Sequence, residues 1–419
     1  MKQTPHKPAP YCREAVLPTS GSPCTGCGLC VSVCTHGAVT LEENEDGFLA
    51  AKVDTTRCIG CRACEKMCAR LAQVKGHDTH RFYEAWSKDE AQRRAASSGG
   101  VFGELAADCL RRGGVVFGVA MRGTDFPRFV AVERPEDLAQ LRGSKYLQAD
   151  PGHIFAEVAA ALKAGRPVLF AGVSCQVRAA RVRFGERYPN LLLIDLACFG
   201  TPSRHLFRSF LAQIGNSDTI TNVAFRDKSR SWRAYSMALT HADGAQTLIH
   251  KEASPFMKGF LCHLSINESC YSCRSALHDR PGDITLGDCW GRPRREDERN
   301  GVSVVIAHTP AGDAALGRIR EALHLEPIEA NIALSLNEGL VAHSGEIPAA
   351  RTPFLKALKQ QPLKRVIATF LNDDGRPRPS FCFAGHFLPL PRRLQRLMNR
   401  LKSLASRCAK GRTHKAEKP

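Results

Sequence analysis

Eight cysteines in two copies of one spacing constrain the start of this chain more than anything else in it. The runs are Cys24-x2-Cys27-x2-Cys30-x3-Cys34 and Cys58-x2-Cys61-x2-Cys64-x3-Cys68. Three thiolates at this spacing wrap one face of an iron–sulfide cubane, and the fourth of each run reaches across to the other cubane. The spacing therefore assigns Cys24, Cys27, Cys30 and Cys68 to one 4Fe-4S cluster, and Cys58, Cys61, Cys64 and Cys34 to a second. Gly26, Gly28, Gly60 and Ala63 lie between ligands and let backbone amides approach the sulfurs. Between the runs, residues 38–41 and 48–53 read as short strands joined by an acidic turn ending in Asp46-Gly47. Zinc is the competing metal, but zinc sites usually pair two short Cys-x2-Cys units instead of repeating a four-cysteine run.

From about Pro18 to Gly76 the sequence resembles the two 4Fe-4S ferredoxin domain. It departs at Thr35 and Ala69, where a proline often follows the fourth cysteine. That touches local turn geometry and leaves ligation alone. The resemblance implies a small α+β bacterial-type ferredoxin domain ahead of a larger body. The chain has 419 residues, which suggests two or three domains. With 43% hydrophobic and 24% charged residues, a normal core is expected and wholesale disorder is not. Residues 1–16 hold no apolar stretch of signal-peptide length, and the richest apolar run, 191–199, is broken by Asp195. The expected location is the cytoplasm, where the 18 cysteines read as metal ligands or buried thiols before disulfides.

After Gly76 the texture alternates between helix-like and strand-like segments. Residues 100–112 show a helical apolar face at Val101, Leu105, Ala106 and Leu110, and residues 115–121 follow as a buried strand. A helix over 151–165, a strand over 167–171, a turn at 172–175 and a strand over 191–197 complete the pattern. Such alternation predicts an α/β body with a mixed, substantially parallel sheet. Sites in these sheets favour the loops leaving the strands' carboxyl ends, where Cys175 and Cys198 fall. No dinucleotide glycine fingerprint or phosphate-binding Gly-x4-Gly-Lys loop is present. Ser97-Ser98-Gly99-Gly100 opens a helix, so its amides and hydroxyls suit a phosphate; an ordinary serine N-cap is the other reading.

Several further segments belong together: Gly143-Ser-Lys-Tyr-Leu147, Gly172-Val-Ser-Cys-Gln176, Cys198-Phe-Gly-Thr-Pro-Ser203, Phe225-Arg-Asp-Lys228, Cys270-Tyr-Ser-Cys273 and Arg280-Pro-Gly-Asp-Ile-Thr-Leu-Gly-Asp-Cys-Trp-Gly291. In this order behind a ferredoxin-like unit, they resemble the beta-subunit family of coenzyme F420 (deazaflavin) hydrogenases and dehydrogenases, over about Pro18 to Ser344. The resemblance implies a flavin, FAD before FMN, passing electrons between iron–sulfur clusters and a two-electron acceptor. It places Ser97, Ser98, Gly99, Gly100 and Lys145 at the flavin. It also implies that Cys175, Cys198, Cys270 and Cys273 converge near it as a third site, for which a third 4Fe-4S cluster, zinc and plain thiols all stay open. Cys289 beside Trp290 is a spare candidate. Asp283 and Asp288 are expected to set a turn before binding a cofactor. Cys12, Cys109, Cys262, Cys382 and Cys408 have no partner spacing and read as structural. The chain departs from the family at Val173-Ser174 and at Cys289.

The expected divisions are a tail over 1–17, the two-cluster domain over 18–76, the family's N-terminal flavin-binding region over 80–165 and its C-terminal domain over 166–345. A proline-containing linker and basic tail follow over 346–419. Leu394, Leu397, Met398, Leu401, Leu404 and Ala405 share one helical face ringed by arginine and lysine, a pattern that suits either an anionic membrane surface or docking on protein. The net charge of +18, gathered around Arg226–Arg233, Arg292–Arg299 and beyond Arg376, implies an anionic partner or a plainly solvated basic surface. Nucleic acid is not the expected partner, because no recognised module is present and few aromatics interleave with the basic clusters. The functional expectation is a flavin-dependent iron–sulfur oxidoreductase with a redox partner protein or subunit and a small-molecule electron acceptor or donor. Its alternative is a flavin-free electron-transfer subunit that feeds a partner enzyme.

Overall fold

The structure, a computed structural model, describes residues 23–275, 279–290, 299–335, 337–340, 346–373 and 375–378. Cys12, Cys382, Cys408, residues 292–298 of the second basic cluster and the basic amphipathic tail lie outside the described residues.

The cysteine-rich start folds as α1 (Leu29–Val33), β1 (Val39–Glu43), β2 (Leu49–Val53) and α2 (Ala63–Lys66). β1 and β2 form an antiparallel hairpin registered from Val39 opposite Val53 to Glu43 opposite Leu49. Asn44 closes its turn by accepting the amides of Asp46 and Phe48 on Oδ1. Gly28 precedes α1 at φ 76°, a left-handed conformation that costs glycine little. The hairpin expected at 38–41 and 48–53 is present.

The body holds an eight-stranded mixed sheet in the order β13-β3-β12-β11-β7-β6-β4-β5. Its strands are β3 (Arg81–Ser87), β4 (Val115–Ala120), β5 (Arg128–Val132), β6 (Val168–Val173), β7 (Leu191–Leu196), β11 (Ile284–Asp288), β12 (Ser303–Ala307) and β13 (Leu323–Pro327). A second, three-stranded antiparallel sheet comprises β8 (Ile220–Asp227), β9 (Ser236–His241) and β10 (Gln246–His250). In the large sheet β4, β6, β7 and β11 run parallel, and the other neighbours pair antiparallel. β6 (VLFAGV) is buried almost throughout, as a central strand covered on both faces must be.

The covering helices begin with α3 (Glu90–Ala95), α4 (Val101–Arg111), α5 (Ile154–Lys163), α6 (Ser174–Phe184) and α7 (Arg204–Leu211). They continue with α8 (Pro255–Leu261), α9 (Glu268–Tyr271), α10 (Pro310–Arg318), α11 (Ala330–Ser335), α12 (Arg351–Gln360) and α13 (Leu363–Phe370). α7, α8, α12 and α13 pack with β8 and β9 into a separate core rich in phenylalanine. Strands from 80–165 and from 166–345 interleave in the large sheet. The turn expected at 172–175 is instead the end of β6 and the first turn of α6. Gln176 Oε1 accepts the Val173 amide at 3.1 Å, which carries the strand directly into the helix. No helix among the described residues is long and apolar enough to cross a membrane.

Candidate redox site

One cavity in the small unit is lined by Cys24, Cys27, Cys30 and Cys68, with Leu29, Leu41, Ala51 and Ala69 supplying apolar walls. These are the four thiols that the crossed spacing assigns to one cluster. Burial pushes the Cys27 thiol up to about 11, with Cys24 and Cys68 adding to the rise. Burial raises Cys30 as well, and Cys27, Cys24 and Cys68 reinforce it. A thiol set that lines one cavity, with Cys30 buried, suits a polycation, which supplies the charge that makes thiolates stable there. Three of the second set gather as well: burial raises Cys64, and Cys34 and Cys58 are its charged neighbours, while Cys61 is exposed. Of the amides expected near sulfur, Gly26 N donates to Cys24 Sγ, and outside that set Ala38 N donates to Cys34 Sγ, each at 3.3 Å. Among the described residues no three His, Cys, Asp or Glu side chains are drawn tightly enough together for a single ion.

The parallel strands deliver the third thiol set to their carboxyl edge. Cys175 lies in the first turn of α6 after β6, Cys198 follows β7, Cys270 sits on α9, and Cys273 lies just beyond α9. Burial raises the Cys175 thiol well above its ordinary value, and its charged neighbours are Cys198, Cys273, Cys270 and then Cys27 of the small unit. Cys198 is pushed up to about 11 and Cys270 to about 12, both chiefly by burial. The structure therefore brings all four together and sets them beside the first cluster's cavity. Two bonds tie the loops across this junction. Asn267 Nδ2 donates to Cys24 O at 3.3 Å, and Arg70 Nη1 donates to Ser272 O at 2.8 Å. Cys289 is elsewhere, 1% exposed in an apolar cluster with Trp86, Val304 and Leu340. Cys109 and Cys262 are buried thiols.

Ser97–Gly100 does open a helix, α4, but several of its polar groups are already spent. Ser98 Oγ donates to Val302 O at 2.7 Å, and Gly99 N donates to Ser303 Oγ at 3.0 Å. Ser97 Oγ accepts from Ser144 Oγ at 2.8 Å. Lys145 Nζ turns onto Gln140 O and Arg142 O at 3.1 and 2.8 Å, and burial lowers its pKa to about 8. An aromatic path leads from this corner to the third thiol set. Tyr146 leans on Phe260 at 5.1 Å between centroids, and Phe260 meets Phe199, the neighbour of Cys198, at 6.1 Å.

The basic cluster at 226–233 was read as facing an anionic partner or as solvated surface, and the structure removes Arg226 from the solvated alternative and binds Lys228 to backbone carbonyls. Arg226 is 8% exposed and pairs with Asp288 at 2.8 Å. Its guanidinium lies over Tyr235 and Trp290, and Nε and Nη2 meet no hydrogen-bond partner among the described residues. Trp232 stacks on Trp290 at 4.2 Å and donates Nε1–H to Asp288 Oδ1 at 3.2 Å. Lys228 Nζ donates to the carbonyls of Arg93, Asn300 and Ser98 at 2.7, 2.6 and 3.1 Å. Asp288 thus pairs with side chains, while Asp283 braces the frame through Arg181, Thr309 and the Leu193 amide. The fully buried pair Arg280–Asp195 was also missed. Arg280 Nη1 donates to Asp195 Oδ1 at 3.2 Å and to Ser174 Oγ at 2.9 Å, beside Cys175.

Fold and the dicluster cysteine spacing define the class: an iron–sulfur electron-transfer protein with an α/β body. Comparison with known families says which one. The family described as "4Fe-4S dicluster domain" matches residues 23–72. The amino-terminal part of the coenzyme F420 hydrogenase/dehydrogenase beta subunit matches 82–152, and its carboxyl-terminal part matches 165–331. The chain belongs to the coenzyme F420 hydrogenase/dehydrogenase beta-subunit family and carries a 4Fe-4S dicluster domain in front. It is 27% identical over 188 residues, 42% of its length, to the F subunit of the F(420)H(2) dehydrogenase of Methanosarcina mazei, and spans about half (53%) of that curated relative. It is also similar to a chain of a xenon-derivatised F420-reducing [NiFe] hydrogenase complex from Methanosarcina barkeri. There the TM-score is 0.43 and the identity 18%, covering 71% of this chain and 93% of that one.

Proposed function

We propose that the chain is a flavin-dependent iron–sulfur oxidoreductase subunit that relays electrons between two 4Fe-4S clusters and a two-electron acceptor of deazaflavin or other small-molecule type. Cys24, Cys27, Cys30 and Cys68 hold the inner cluster, and Cys34, Cys58, Cys61 and Cys64 the outer one. Cys175, Cys198, Cys270 and Cys273 hold a third. The observation that carries this reading is the junction where Asn267 Nδ2 donates to Cys24 O and Arg70 Nη1 to Ser272 O, which ties the inner cluster's segment to the loop of the third set. A bound flavin, FAD before FMN, would convert single electrons to pairs; the chain's part is to hold it against its substrate and tune it. Ser97, Ser144 and Lys145 suit its phosphates, and the Nε and Nη2 nitrogens of Arg226 suit an electron-rich edge beside Trp290. The residue spans 18–76, 80–165 and 166–345 are the working units. The basic tail is a docking element for a partner subunit or an anionic membrane face, and the protein is cytoplasmic, peripheral to the membrane at most.

Anaerobic purification followed by iron, sulfide and flavin assays tests the reading, with about four irons per cubane. At least two cubanes and extractable FAD are expected, and dithionite should bleach the flavin. Arg226→Lys keeps the charge but loses the planar fork, so flavin affinity should fall while iron content stays. One observation favours the flavin-free reading instead: Ser98 and Gly99 spend their donors internally. Full clusters with no FAD or FMN content or uptake would select that second reading.

A further inference from the structure

The small cluster unit has two unlike ends. The body clasps the turn end of its hairpin: Arg204 N donates to Gly47 O at 2.9 Å, and Glu43 accepts from Arg208 Nη2 at 2.8 Å. At the other end Asp54 N donates to Ala38 O at 2.8 Å, and the chain runs on into the Cys58–Cys64 loop. Strands of five residues at about 3.3 Å each put these ends roughly 16 Å apart. The loop end looks outward. Cys61 is exposed while Cys30 of the inner set is buried, α2 has no buried residue, and Ile59 is 46% exposed. Arg57, Arg62 and Lys66 are exposed around it. Residues 54–75 hold five basic side chains against Asp54 and Glu65, and Glu65 is taken up by Arg62 at 2.6 Å. The unit's acidic residues Glu43 and Asp46 are turned toward Arg204, Arg208 and Arg351 of the body.

We propose that the Cys58–Cys64 loop is the port at which a small, acidic, single-electron carrier protein docks on this chain. The proposal rests on the reading that Cys34, Cys58, Cys61 and Cys64 hold the outer cluster. Electron tunnelling falls steeply with distance, so exchange with a protein partner needs a cluster edge at the surface, and this loop supplies it. A small apolar contact ringed by positive charge suits a transient complex with a negative partner, because charge steers the encounter and the apolar centre keeps it brief. Each encounter moves one electron from the reduced carrier, oxidised by one unit, to the cluster, reduced by one; no proton or ligand transfers.

The test uses the full chain, purified anaerobically with its clusters, and stopped-flow mixing. One reductant is a dithionite-reduced acidic two-cluster ferredoxin, the other the methyl viologen radical cation. R57E/K66E reverses the rim. K356E/K359E makes the same charge change on exposed positions of α12, next to the clasped end. At low salt R57E/K66E should slow reduction by ferredoxin about tenfold or more and flatten its salt dependence. Reduction by viologen and iron content should hold, and K66E alone should give a smaller change of the same sign. An unchanged ferredoxin rate, or an equal loss in K356E/K359E, overturns the port. Failure of viologen to reduce wild-type clusters, or absence of iron, overturns the cluster reading beneath it.

Discussion

Lys145 is the side chain on which the phosphate proposal is most sharply testable. Its amine is buried enough to hold its pKa near 8, well below an ordinary lysine, and only the ammonium attracts a pyrophosphate. Flavin affinity should be flat below about pH 7 and weaken roughly tenfold per unit above pH 8, as the free protein gives up that proton. Lys228 titrates lower, near 7, through burial and then Arg226 and Arg93, so the window above pH 8 reports Lys145. Equilibrium titration of FAD against pH checks this, and Lys145→Met should weaken binding at pH 7 and remove the slope above 8. A slope that survives in Lys145→Met places the phosphates elsewhere. Gly99 is unsuitable for such a test: a Cβ there would stand 2.4 Å from Ala85 O and 2.9 Å from Ser303 N, so substitution would disturb β3 and β12.

The β1–β2 hairpin is both a cluster scaffold and a wedge in the body. Phe48, 2% exposed, leaves its own small core and packs with Leu206, Phe207 and Met257 of the phenylalanine-rich cluster. Phe48→Ala should cost about 3–5 kcal/mol at this junction. Hydrogen exchange should then quicken at residues 44–48 and anaerobic thermal unfolding should begin earlier, with iron content unchanged because no ligand is touched. Unaltered protection there would mean the hairpin is held by its polar clasps alone. The hairpin was legible in the sequence because its signals are local: two alternating runs and a turn. So were β4, β6, β7 and α5, each carried by a local apolar pattern, whereas α6 was read only as a turn at 172–175. The site of β3 was not legible, since its partners β12 and β13 lie more than 200 residues away and nothing in Arg81–Ser87 names them. The pairing of Arg226 was not legible for the same reason. A charge run looks like solvated surface until Asp288, 62 residues on, arrives to pair it. The dicluster unit matched at residues 23–72 was legible because its cysteines repeat one local spacing.

Across the whole molecule, the three thiol sets form a series from exposed Cys61 through the inner cavity to the carboxyl edge of the sheet. The series cannot be tested by cutting the chain before Arg81. Leu29 and Ala69 complete the apolar core under α5 and α6, and removing them would expose it. Substitution in the full chain avoids that. If the third set holds a cubane, wild type should carry about twelve irons and C175S/C270S about eight, at four per cubane. The two remaining clusters should still accept electrons from methyl viologen. Bound flavin should be retained, because Ser97, Lys145 and Arg226 are untouched, yet its reduction by an external one-electron donor should slow by orders of magnitude with the relay broken. Iron near eight in both proteins, with one zinc lost on substitution, would assign the site to zinc. Iron near eight with no metal change would leave four uncoordinated thiols, and the flavin would have to take its electrons directly from the inner cluster at Cys27.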